Sequence, residues 1–461
     1  MAPSNSTTQP KIRQQAAWVI GCRVIGIGCT LASNMLVARL LGPAGFGVFL
    51  LVVSVLALGC ILAMSGLSEA GLRFVSENLG LGQTSVVRSY LETTVRWIGV
   101  TSVAATLLVS ALLAIYQRYN ENTEVTVFTI ALVSVGVIVL AWQQFSAQLL
   151  RALNDLRAAS FYSGGQTGGP LSNLLFMIPL LLIWLWLIPI TTNQIIALLV
   201  ISICGTLPIA LWEFFRASHR VLSTTNANES LTLSEEKKTE LIAVASSFLG
   251  IQLLAFVFIQ CDIWIGSWLL TPEDFGLYGA AKRGQLIAQM PLQMALMTVQ
   301  GSIPSLYAQG RRADLEQRYR SAITWSAIPA ISSLVLFMIF PIEFLTVICG
   351  SAFGGAAPIV APLAVGLLAL LFFGSPSDIL AMTGNHRIVL WVNAFSAVGL
   401  IVFGIIGAWQ AGPIGLAIAS SAVYVLQNVG LWTIARKRLR LWTHVGGLSW
   451  KTLGTLEREN V

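Results

Sequence analysis

Twelve apolar stretches, each close to the roughly 20 residues a helix needs to cross a hydrocarbon core, divide this 461-residue chain from end to end. They cover residues 16–38, 46–66, 97–117, 125–150, 170–188, 195–215, 241–265, 276–300, 321–340, 357–376, 388–409 and 413–434. A chain patterned in this way folds with lipid as its solvent. Its 10% of charged residues cannot clothe a globule that in water ordinarily carries roughly 25%. Pro179, Pro208, Pro291, Pro329 and Pro362 fall inside the spans, where neighbouring helices or waters satisfy the carbonyls they free. The expectation is an all-α integral membrane protein of about 12 transmembrane helices, and a soluble enzyme is excluded.

Charge sets the orientation. Of the 27 Lys and Arg, 22 fall in alternate connections and termini, which the positive-inside rule assigns to the cytoplasm. Only Arg39 and Arg118 lie on the opposite side, and Arg23, Lys282 and Arg283 remain inside spans. Both termini are therefore expected to be cytoplasmic. The net charge of +7 is dispersed among short loops and forms no polyanion patch, so no nucleic-acid partner is expected. Cys22, Cys29, Cys60, Cys204, Cys261 and Cys349 sit in or beside apolar stretches without ligand-like spacing. They read as small buried residues, with no metal and no cofactor. A polar connection, 216–240, divides an N-terminal lobe (1–230, spans 1–6) from a C-terminal lobe (231–461, spans 7–12) that ends in a basic tail.

The halves share a motif. Leu41-Gly-Pro-Ala-Gly-Phe-Gly-Val-Phe49 recurs as Leu270-Thr-Pro-Glu-Asp-Phe-Gly-Leu-Tyr278, an offset of 229 residues. Each copy follows an odd-numbered span, so the halves share orientation and an axis along the membrane normal. Two parallel six-helix lobes around a central cavity that opens to either side make a transporter.

Charges at bilayer depth cost at least about 2.5–3.5 kcal/mol and so face a bundle interior or water. Arg23 lies about 10 Å into the first span, at 1.5 Å per residue. Thr30 and Asn34, seven and eleven residues on, share its face. In the eighth span Lys282, Gln289 and Gln293 align on one face with Gln285 beside them, and Pro291 bends the line. Arg283 points 100° away. Asp262, in span seven, pairs with one of these cations or binds a coupling cation. Glu69 and Arg73, four apart, read as a helix-surface ion pair.

Ala38–Gly47 and Gly66–Val75 resemble the polysaccharide-export and O-unit flippases of the multidrug/oligosaccharidyl-lipid/polysaccharide (MOP) exporter superfamily, and the stretch from Phe275 through Ser305 is similar to the eighth helix of its lipid II flippase branch. The resemblance covers the start of both halves. It implies two lobes that rock around a cavity and carry a polyprenyl-diphosphate-linked oligosaccharide between leaflets of a bacterial cytoplasmic membrane, without chemical change. It also implies that Arg23, in the context Arg23-Val-Ile-Gly26, contacts the diphosphate. In Tyr278-Gly-Ala-Ala-Lys-Arg283 it selects Arg283, where periodicity selects Lys282. Membrane lipids and a coupling cation complete the expected partners.

Two other readings stand beside this one. A cation-coupled drug exporter of the same superfamily calls for a carboxylate within the first lobe, whose one acidic candidate, Glu213, lies at the cytoplasmic edge. A polysaccharide polymerase or ligase calls for catalytic groups at one membrane face, and the short outer connections carry no histidine.

Overall fold

The structure, a computed structural model, describes residues 9–81, 83–119, 125–153, 155–164, 167–222, 235–300 and 303–446. Part of the polar linker, 223–234, and the tail beyond 446 lie outside the described residues. The helices in chain order are α1 (Gln9–Met64), α2 (Leu67–Gly80), α3 (Thr84–Tyr119), α4 (Val127–Ala152), α5 (Leu156–Tyr162), α6 (Pro170–Leu185), α7 (Thr192–Leu222) and α8 (Glu235–Leu269). They continue as α9 (Pro272–Gln300), α10 (Ile303–Ala308), α11 (Arg312–Ile339), α12 (Pro341–Cys349), α13 (Ala357–Phe373), α14 (Pro376–Leu380) and α15 (His386–Leu439). All twelve expected spans fall on these helices. Among the described residues, 8 helices are long and apolar enough to cross a membrane.

The difference between eight and twelve has physical causes. α1 and α15 each carry two spans, broken at Gly42 (φ 69°) before Pro43, and at Ala411 and Gly412 (φ 57°) before Pro413. The glycine supplies a backbone angle that other residues resist, and the proline cannot donate to the preceding turn. α6 is short, at 16 residues. α9 has the length but carries Lys282, Arg283 and four glutamines in place of apolar side chains.

The chain forms two compact units. Unit 1 comprises Met1–Leu41 and Val48–Leu253, and unit 2 comprises Gly42–Gly47 and Leu254–Val461. The division falls inside α8.

In unit 1, α4 is the hub and packs on α2, α3, α5 and α7. Its buried line, Val133, Val137, Leu140 and Phe145, is apolar. Gly136 admits Leu56, whose Cδ2 lies 2.8 Å from where a Cβ would stand. α2 follows a break at Ser65 (φ 48°) and Gly66 (φ 72°). The expected Glu69–Arg73 pair does not form. Glu69 accepts a hydrogen bond from its neighbour Ser68 at 2.5 Å, which competes with reaching along the helix to an exposed arginine.

In unit 2, α13 packs on α15, α9 and α11. Phe258, Cys261, Ala397, Leu400 and Val423 form a buried cluster there. The segment after α15 folds back onto the unit. The Trp442 N–H donates to Glu316 Oε2 at 3.0 Å, Val445 N–H to the Phe372 carbonyl at 2.8 Å, and Gly446 N–H to Thr324 Oγ1 at 3.0 Å. Arg320 Nε donates to the His444 carbonyl at 3.2 Å. The start of the basic tail is thus a packed strap, which its sequence did not suggest.

The two motif copies meet each other within unit 2. A Cβ on Gly47 would stand 3.3 Å from the Pro272 carbonyl, and one on Gly276 would overlap the Pro43 carbonyl. Equivalent glycines face equivalent prolines; at Gly276 the obstacle is the Pro43 backbone, whereas at Gly47 the nearest atom is Phe275 Cδ1, at 2.8 Å. Gly276→Ala is therefore expected to destabilise at the upper end of the about 1–3 kcal/mol typical of overpacking. Gly205→Ala, with open space at its Cβ, should be neutral or slightly stabilising. Thermal unfolding of the two purified variants measures the contrast, and equal midpoints would remove the close contact from the argument.

Candidate functional site

The polar interior of unit 2 is built from one turn each of α8 and α9. Asp262 is carried on α8 with its side chain 6% exposed, and Lys282 on α9 with 27%. Lys282 Nζ donates to both carboxylate oxygens, at 2.6 and 2.7 Å, and to the Ile259 carbonyl at 2.9 Å. The Tyr278 hydroxyl donates to Oδ2 at 2.7 Å and the Ile263 N–H to Oδ1 at 2.8 Å. A carboxylate offers about four lone-pair directions, and all are taken. The ammonium therefore sits where a coupling cation would otherwise bind. Ser420, on α15, lies 3.3 Å from the Tyr278 hydroxyl.

A cavity of about 130 Å³ opens beside this pair, lined by Phe258, Asp262, Lys282, Gln285, Gln289 and Tyr424 among others. It is sized for a few waters, not for a sugar chain. Gln285 is buried, and its Nε2 has no hydrogen-bond partner among the described residues. Of the eighth-span stripe, Lys282, Gln285 and Gln289 line the cavity, whereas Gln293, beyond Pro291, is exposed. Arg283 is half-buried outside the cavity lining, within electrostatic reach of Asp262. The cavity thus brings Asp262, Lys282 and Gln289 together, and neither Arg283 nor Gln293 is in its lining.

The interior of unit 1 holds hydroxyls and amides. Thr30 Oγ1 donates to the Gly26 carbonyl at 2.8 Å, and Asn34 Nδ2 to the Thr30 carbonyl at 2.7 Å. Asn173 on α6 donates to Thr30 Oγ1 at 2.9 Å. Gln143, on α4, donates to Ser172 and Thr206 at 2.8 and 3.1 Å. Asn34 therefore gives one of its two amide N–H groups to its own helix, and the network ties α1, α4, α6 and α7 together. Arg23 is exposed and has no hydrogen bond or ion pair among the described residues. Sequence reasoning missed Tyr278, Ser420 and Asn173 as site residues. For Tyr278 the signal was present as the aromatic end of the motif.

Among the described residues no group of three metal-ligating side chains occurs. Two compact units of membrane-spanning helices, one holding a buried ion pair and the other hydroxyls and amides, are the frame of a membrane transporter of the flippase and exporter type. The chain belongs to the family described as polysaccharide biosynthesis protein, whose model matches residues 12–307. No curated protein matches. Among solved structures, the chain is similar to an inward-facing multidrug-resistance MATE transporter of the MOP superfamily, with TM-score 0.62, 15% identity and coverage of 92% of this chain and 98% of that one. It is also similar to the lipid II flippase MurJ in an inward closed conformation, with TM-score 0.58, 13% identity and coverage of 92% and 87%. A third similar structure is a MOP superfamily transporter from Pyrococcus furiosus described by the reversed polarity of its binding pocket, with TM-score 0.56, 15% identity and coverage of 93% and 95%. At such identities these likenesses establish the MOP fold.

Proposed function

We propose that this protein flips a polyprenyl-diphosphate-linked oligosaccharide across a bacterial cytoplasmic membrane by alternating access, for the assembly of a cell-surface polysaccharide. The observation that carries the reading is Arg23, an exposed guanidinium without a counter-ion on a spanning helix of a polysaccharide-biosynthesis family member. A diphosphate crosses the apolar core only with its charge compensated, while the polyprenyl tail stays in lipid. The drug-exporter reading fits the fold equally well. It is weakened because no Asp or Glu lies inside the first five spans, and Glu213, at the edge of the sixth, stands 3.9 Å from Arg216. A coupling cation at Asp262 would require Lys282 to leave first. Purified protein in liposomes holding a fluorescent lipid-linked oligosaccharide should expose inner-leaflet cargo to an external quencher. Export of organic cations on a proton or Na⁺ gradient, with no lipid movement across a broad cargo panel, would favour the exporter.

The same reading places both termini in the cytoplasm. In a variant lacking the native cysteines, cysteines at the exposed positions Thr191 and Ala411 should react with an impermeant thiol reagent added outside cells, and one at Asn385 should not. The reverse pattern inverts every leaflet assignment.

A further inference from the structure

Arg151 is a cation that periodicity passed over. It stands in the last turn of α4, half-buried. Its Nη2 donates to Ser163 Oγ at 2.6 Å and its Nη1 to Gln148 Oε1 at 3.3 Å. Both partners are neutral, so the guanidinium is held in place without being neutralised. Ser163 follows α5, whose Phe161 meets Trp18 of α1 edge-on at 5.6 Å between ring centroids. Further along α1, a Cβ on Gly26 would stand 3.0 Å from the Pro170 ring. The first contact seats α1 against α5, beside the Ser163 that holds Arg151, and the second seats it against the start of α6. Arg23 lies between Trp18 and Gly26, and its charge reaches Arg151.

Two guanidiniums on α1 and α4 repel one another, and among the described residues neither has a carboxylate partner. An anion bound between them removes that repulsion. Planar guanidinium forks match phosphate oxygens and form charge-assisted hydrogen bonds. We infer that Arg23 and Arg151 form one phosphate-binding site within unit 1, with Arg151 as its fixed half, and that its occupant is a diphosphate group. The choice of a diphosphate over another phosphate rests on the proposed cargo. The site itself rests on the contacts of α1 with α5 and α6, on the hydrogen bonds that fix Arg151 and on the repulsion between the two guanidiniums.

Inorganic pyrophosphate is the probe, added to full-length protein in an uncharged, phosphate-free detergent and followed by calorimetry. Saturable binding is expected. It should weaken about tenfold or more in Arg151→Gln, as for loss of a charge-assisted hydrogen bond, and less in Arg151→Lys, which keeps the charge. Ser163→Ala, which frees the guanidinium without removing it, should fall between Arg151→Lys and wild type. Absence of binding to the wild type, or equal binding in folded Arg151→Gln, overturns the site. Phosphatidylglycerol competing as well as farnesyl diphosphate overturns the diphosphate assignment in favour of bulk lipid phosphate. The flipping assay is read separately. Arg151-dependent pyrophosphate binding without flipping would sink the proposed cargo and leave the site. Flipping that persists in Arg151→Gln with unchanged pyrophosphate binding would do the reverse.

Discussion

Alanine at position 282 is expected to cost about 3–5 kcal/mol of stability, the penalty for removing one partner of a buried ion pair. Asp262 would keep the Tyr278 hydroxyl and the Ile263 N–H but lose both of its contacts with the ammonium, and the Ile259 carbonyl would lose its own. A carboxylate 6% exposed would then depend on water entering from the adjoining cavity, a weaker partner than an ammonium. Asp262→Asn should cost less, because Lys282, at 27%, keeps partial access to solvent and its bond to Ile259. The double replacement Asp262→Leu with Lys282→Met should recover most of the loss, since paired apolar groups of similar volume are often as stable as a buried pair. Thermal unfolding of these proteins tests that ranking, and adding Asp262→Leu and Lys282→Met singly closes a double-mutant cycle around the pair. A change of less than about 0.5 kcal/mol in Lys282→Ala, the scale of an ordinary surface substitution, would mean that the pair contributes nothing to stability, and would reopen Asp262 as a cation site.

That ion pair also shows how far the sequence was legible. The duplicated motif is visible as text, and the structure adds that its two copies touch through Gly47 and Gly276. Shifting unit 2 by the 229-residue offset sets Asp262 against Ser33, Tyr278 against Phe49 and Lys282 against Val53. In the first copy Phe49 is buried and stacks on Phe176 at 6.2 Å, with no hydroxyl to donate. The duplication therefore preserves a backbone turn and an aromatic body but places charge in one half only. Comparing the copies position by position would have singled out Tyr278.

Spans were readable because lipid demands about 20 apolar residues in a row, and helical periodicity correctly grouped Lys282 with Gln285 and Gln289. Periodicity could not set Gln293 apart, because it treats α9 as a straight cylinder through Pro291. It also could not pair Arg151 with Arg23, nor Asn173 with Thr30, which are 128 and 143 residues apart. Such long-range relations belong to helix packing, and no local pattern encodes them. The strap from Arg440 to Gly446 was hidden for another reason. Its anchors are mostly backbone N–H groups, which carry no residue signature.

Replacing Arg23 with alanine is expected to slow lipid flipping about a hundredfold or more while leaving the protein folded. The two halves of this result have separate causes. Arg23 is exposed and bonded to nothing among the described residues, so its loss breaks no packing and no hydrogen bond. Substitutions of that kind change stability by about 0.5 kcal/mol or less. Transport is different, because the cargo's phosphate charge meets the apolar core. An uncompensated charge there costs at least about 2.5–3.5 kcal/mol, and each 1.36 kcal/mol on a barrier is about tenfold in rate. Arg23→Lys keeps the charge but loses the fork, and should fall between wild type and alanine. Membrane abundance and melting temperature report the first half, and the liposome quenching rate reports the second. Flipping at the wild-type rate in Arg23→Ala would remove Arg23 from the cargo path. Loss of folded protein in both variants would make it a structural residue and withdraw the support that an unpaired guanidinium gives to the flippase.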